Sequence, residues 1–128
     1  MRKIGFALCL IGFAAAILTG WLAAVHTIGT DANRYLQSQL EADILGEAGV
    51  TESTLIEIDG ALAAYLKGNA HALDGLTAEV FGTPQPAFND RELRHMEDCF
   101  FLFRLLRGTI LAAAVIAVLS LCFGVRLL

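Results

Sequence analysis

The stretch Phe88-Asn89-Asp90-Arg91-Glu92-Leu93-Arg94-His95-Met96-Glu97-Asp98-Cys99-Phe100-Phe101-Leu102-Phe103 decides how the chain is read. It holds the densest cluster of ionisable groups and leads into Gly108–Val125, 18 uncharged residues that end at Arg126. Asn89 is a good helix cap, with Glu92 at the reciprocal capping position. Leu93, Met96, Phe100 and Phe103 follow at alternating spacings of three and four, a single apolar stripe. Asp90 with Arg94, and Arg94 with Asp98, are i,i+4 pairs on another face. The pattern predicts a capped amphipathic helix that joins a polar domain to a membrane span.

Working outward, 56% of the 128 residues are hydrophobic, concentrated at the two ends of the chain. That distribution belongs to a membrane protein with a modest polar insert. Arg2-Lys3 precede Ile4–Val25, whose 22 residues carry no charge and as a helix would cover about 33 Å, enough for a hydrocarbon core. A cleaved signal peptide begins the same way, but its apolar region is normally shorter, so an uncleaved helix is expected. Gly12, Ala16, Gly20 and Ala24 recur every four residues, a small-residue ridge suited to a second copy or a partner membrane subunit. Trp21 fits an interfacial anchor.

The resulting fold class is a mainly α membrane protein with two transmembrane helices, 1–28 and 104–128. They flank a small, mostly helical extracytoplasmic domain, 29–103. Arg2, Lys3 and Arg126 at the outer ends of the chain favour cytoplasmic termini, although Arg104 and Arg107 sit at the opposite end of the second span. Within the insert, Asp31 opens a helical pattern that Gly46 and Gly49 close. Thr54–Lys67 reads as a second helix, with Thr54 and Glu57 at capping-box spacing and Gly68 as the stop. Asn69–Pro86 is loop-like, with a short strand at Ala78–Phe81.

Between Asp31 and Asp98 thirteen acidic residues face four basic ones, a net −9. An acidic middle of this kind excludes nucleic-acid binding, which needs clustered positive charge. Cys9, Cys99 and Cys122 offer no pair within the polar domain, so no disulfide framework is expected.

Three chemistry candidates lie on one helix. Glu92, His95, Asp98 and Cys99 share a side, and a histidine between carboxylates suits general acid–base work. The competing reading is a solvated charged face. Glu92 and His95 also have the Glu-x-x-His spacing of di-metal bundles, but a single copy predicts no metal and no cofactor. Arg104 and Arg107, one turn apart, either snorkel to lipid headgroups or hold a lipid phosphate.

Tyr65-Leu66 with Gly68, Val80-Phe81-Gly82 and Phe88 through Asp98 together resemble a bacterial integral-membrane family that includes the lipoprotein intramolecular transacylase. The resemblance covers roughly Tyr65 to Phe103 by motif and matches only the first half of the family architecture. It implies a multi-pass protein of the bacterial cytoplasmic membrane that acts on lipoproteins and membrane lipid at the outer leaflet. The sn-2 acyl chain of a diacylglyceryl-cysteine would move to the α-amino group of that cysteine. His95 would be the catalytic base or acid, with Glu92 and Asp98 orienting it. Cys99-Phe100 stands where members usually continue Val-Lys. The other reading is a non-catalytic membrane sensor or assembly subunit with an external helical binding domain.

Overall fold

Three-quarters of the chain is helical in the computed structural model, which describes all residues, Met1–Leu128. The elements run α1 (Arg2–Gly29), α2 (Ala32–Glu41), α3 (Ile44–Ala48), α4 (Glu52–Leu66), β1 (Thr77–Val80), β2 (Thr83–Pro86) and α5 (Asp90–Leu127). They form two units, a terminal one of Met1–Thr27 with Leu105–Leu128 and a central one of Ile28–Arg104.

Both α1 and α5 are long and apolar enough to cross a membrane. Their lengths, about 42 Å and about 57 Å, exceed the ~30 Å of a hydrocarbon core. Phe6, Phe13 and Trp21 on α1, like Leu111, Val118 and Phe123 on α5, are exposed. Such continuous apolar surface suits contact with lipid.

In the terminal unit the two helices meet through small residues. A Cβ on Gly5 would lie 2.9 Å from the Gly124 carbonyl oxygen, and one on Gly124 would lie 2.9 Å from the Cys9 backbone nitrogen. Gly12 is buried against Leu121, and Ala113 and Ala117 are buried along α5. Missing side chains let the backbones approach, which replaces the hydrophobic drive that lipid cannot supply. Of the expected ridge, only Gly12 is used here. Ala16 and Gly20 are exposed, and nothing lies within 4 Å of a Cβ built on Gly20. Four residues turn about 400°, so a four-residue ridge drifts about 40° per step and leaves the seam.

The central unit departs from the sequence reading at its first helix. Asp31 caps α2 as expected, its carboxylate accepting the Asn33 N–H at 3.0 Å. Asp43 then adopts the left-handed region (φ 53), so a second helix, α3, begins at Ile44. Aspartate is among the few non-glycine residues that tolerate this conformation, which made the break hard to anticipate. Thr51 caps α4 in place of Thr54, its Oγ1 accepting the Thr54 N–H at 3.3 Å. At the other end the Gly68 N–H donates to the Tyr65 carbonyl at 2.9 Å. The Asn69 N–H donates to that of Ala64 at 3.1 Å, completing a Schellman stop.

What reads as loop contains an antiparallel hairpin, β1–β2, with Val80 opposite Thr83. Phe81 and Gly82 form its two-residue turn at φ 49 and 78, the type I′ signature that matches strand twist. The Phe81 N–H donates to the Gly49 carbonyl at 2.7 Å, tying the tip to the end of α3. Pro84 and Pro86 stand opposite Glu79 and Thr77. Counting from the turn, these are the non-hydrogen-bonded pairs, so neither proline removes a ladder bond.

Tyr65, Leu66 and Leu73 are the buried centre of this unit, with Leu62, Leu76, Phe88, Met96, Phe100 and Phe103 packed around them. The Tyr65 and Phe100 rings lie 4.9 Å apart. Where α2 packs on α4, Gln39 Nε2 donates to Asp59 Oδ1 at 3.2 Å, and the Tyr35 hydroxyl donates to the Gly29 carbonyl.

Adding side-chain bulk at the seam should separate the helix pair. Gly124→Val is expected to destabilise the terminal unit by about 1–3 kcal/mol, whereas Gly20→Val should change little. Thermal unfolding of both variants in detergent micelles checks this, and equal losses would contradict the glycine contact.

Candidate functional site

The N-terminus of α5 is built as its sequence dictates. Four amide groups at a helix start lack intrahelical partners. Asn89 Oδ1 accepts from the Arg91 and Glu92 N–H groups at 3.0 and 2.9 Å, and Glu92 Oε2 accepts the Asn89 N–H at 2.8 Å. The capping box is therefore closed on both sides, and it fixes the first turn of α5 beside Phe88.

An open groove of about 530 Å³ lies against this turn, lined by Phe88, Asn89, Arg91, Glu92, His95 and Met96. Its chemistry is mixed. Phe88 and Met96 supply apolar surface continuous with the core, while Arg91 and His95 supply N–H groups. A second hollow, of about 700 Å³, adjoins it on the β2 side and shares Phe88, Asn89 and Glu92. A third is lined by Tyr65, Leu73, Asp74 and Glu97.

His95 is exposed within the first groove. Its Nε2 lies 3.7 Å from the Cys99 Sγ, one turn along α5. The expected orienting carboxylates do other things. Glu92 is committed to the cap, and Asp98 is exposed and forms no ion pair or hydrogen bond. Helical spacing brought Glu92, Asp98 and His95 to one side. Spacing alone could not show that the unsatisfied Asn89 amide would take the Glu92 carboxylate.

Neither Asp90–Arg94 nor Arg94–Asp98 closes to ion-pair distance; the ion pairs are Arg34–Asp31 at 3.6 Å and His71–Asp74 at 2.8 Å. Solvated i,i+4 partners gain little by holding two long side chains together. Arg104 is exposed at the end of the central unit, about 13 Å along the helix from His95. Arg107 is half-buried in the terminal unit. No three His, Cys, Asp or Glu side chains converge as metal ligands would.

Cys99, read on the same side as His95, lies one turn along from it, and Arg91, one turn before it, lines the same groove. The spacing of residues 91, 95 and 99 was a readable signal for both. The chain matches no protein-family model, no curated protein and no solved structure.

If Glu92 acts through the cap, Glu92→Gln should keep both the helix start and any activity at His95, because an amide oxygen still accepts the Asn89 N–H. Glu92→Ala and Asn89→Ala should each cost about 1 kcal/mol of central-unit stability. Hydrogen exchange of the first α5 amides distinguishes the two outcomes. Loss of activity in Glu92→Gln with unchanged exchange would show a role for the negative charge itself.

Proposed function

We propose that this protein is a two-span protein of the bacterial cytoplasmic membrane whose central unit faces outward and transfers an acyl group within a lipid-anchored substrate, with His95 as the proton-transfer residue. The observation that carries this reading is the groove itself. It sets an exposed imidazole and a guanidinium beside Phe88 and Met96 on the same helix that continues into an apolar span. An amphiphile with an ester and an acyl chain presents complementary chemistry, since its polar carbonyl region meets N–H donors while its chain meets apolar surface. The resemblance of Tyr65–Phe103 to the transacylase family points to a diacylglyceryl-cysteine as that amphiphile.

In this scheme the neutral imidazole of His95 takes a proton from the substrate's α-amino group as its nitrogen attacks the ester carbonyl. The C–N bond forms, and the tetrahedral adduct collapses with cleavage of the ester C–O bond. The imidazolium returns its proton to the departing glyceryl oxygen. In this reading Arg91, which lines the same groove, donates hydrogen bonds to the carbonyl oxygen as negative charge develops there.

A second reading has its own support. With Glu92 in the cap and Asp98 unpaired, His95 lacks a carboxylate to fix its tautomer. A non-catalytic sensor or assembly subunit would need no such partner.

His95→Ala separates the two. Mass spectrometry of lipoprotein N-termini from cells carrying wild-type or variant protein should show loss of the N-acylated, lyso form by at least about 100-fold. Acylation that is the same in both, beside an active control, would leave only the non-catalytic reading.

A further inference from the structure

Asp59 is the one acidic or basic side chain that is buried, at 2% exposure. A carboxylate removed from water needs a cation or several N–H donors. Asp59 has no ion-pair partner, since the pairs in this unit are Arg34–Asp31 and His71–Asp74. Its one donor is Gln39 Nε2, 3.2 Å from Oδ1.

Two further atoms at this contact are buried without a partner, Asp59 Oδ2 and Gln39 Oε1. As carboxylate and amide oxygens both are acceptors, so they cannot satisfy one another. A proton on Oδ2 turns that acceptor into a donor that can seek an acceptor such as Gln39 Oε1, while Gln39 Nε2 continues to donate to Oδ1.

We propose that Asp59 is carried as the neutral acid in the folded central unit, clasped to Gln39, and that its ionisation loosens α2 from α4. The clasp is a proton-operated latch, separate from the His95 groove. It matters for α2 because that helix contributes no buried residue of its own. Its other attachments are the Tyr35–Gly29 hydrogen bond and the half-buried Tyr35 and Leu36.

The groups that face the clasp agree with this assignment. Burial raises the Asp59 pKa, and the Gln39 hydrogen bond opposes that in part. From α2, the Tyr35 phenol is pushed up by burial first, then by Asp59, by Asp31 at the helix cap and by Cys99 of α5. None of these groups is a cation.

The direction of the pH effect follows. Folded Asp59 keeps its proton to higher pH than the unfolded chain, whose aspartate releases it near the ordinary 3.8. Between those two values the folded state binds more protons, so stability falls as pH rises and levels off above the raised pKa.

Asp59→Asn tests the latch, because its amide N–H replaces the acid O–H and cannot titrate. The full chain in an ester-free detergent is unfolded thermally from about pH 4 to pH 9. Wild-type Tm should fall with pH. The D59N profile should be flat and should exceed wild type at the alkaline end by roughly 4–8 °C. Asp59→Ala should lie below wild type at the acid end. Difference infrared spectra at the acid end of the range should contain a protonated-carboxyl band in wild type that D59N lacks. Absence of that band, a pH slope shared by D59N and wild type, or a D59N chain as damaged as D59A would each overturn the proposal.

Discussion

The tilted contact between the Tyr65 and Phe100 rings links the main elements of the central unit. It joins the end of α4 to the early turns of α5, and aromatic pairs of this kind add to the burial of their own surface. Leu66 and Leu73 complete the cluster at its centre, and Leu55, Ala63 and Ala78 are buried in the same unit, still a small core. Phe88 and Met96, which floor the His95 groove, pack against the same cluster. Asp59 lies six residues before Tyr65 on α4, so the clasp with Gln39 attaches α2 to the helix that the ring pair anchors.

Periodicity and caps were legible in the sequence; departures that depend on individual backbone angles were not. Both apolar helices, the Asn89–Glu92 box, the Asp31 cap and the Gly68 stop could be read because each has a local composition. The break at Asp43 could not, since an aspartate in the left-handed region leaves no mark on hydrophobic period. The hairpin was half visible. Thr83-Pro84-Gln85-Pro86 reads as loop by composition, and only its register against β1 explains how two prolines fit a strand. At the site, helical spacing brought Glu92, His95, Asp98 and Cys99 to one side, but it could not show that Glu92 would be taken up by the Asn89 cap. Asp59 went unnoticed for a related reason. Leu55, Ile58, Leu62 and Leu66 define an apolar stripe on α4, and a carboxylate beside it looks like part of the solvated flank until α2 covers it.

A groove open on one side cannot exclude water by itself, so a ligand held there would stay dry only by bringing apolar surface of its own. Phe88 and Met96 offer a place for such surface next to polar groups. The acidic surroundings act in the opposite sense on charge. With a net −9 between Asp31 and Asp98, an approaching cationic amine is favoured over an anionic headgroup, and salt would weaken that preference.

Pro84 and Pro86 occupy the positions of β2 whose backbone groups point away from β1. Proline has no N–H there, so the outer rim of the hairpin presents carbonyl acceptors without the alternating donors that another strand requires. Neither an extended peptide nor a second hairpin can zip onto that side. The polar central unit is thereby protected from edge-to-edge polymerisation through β2.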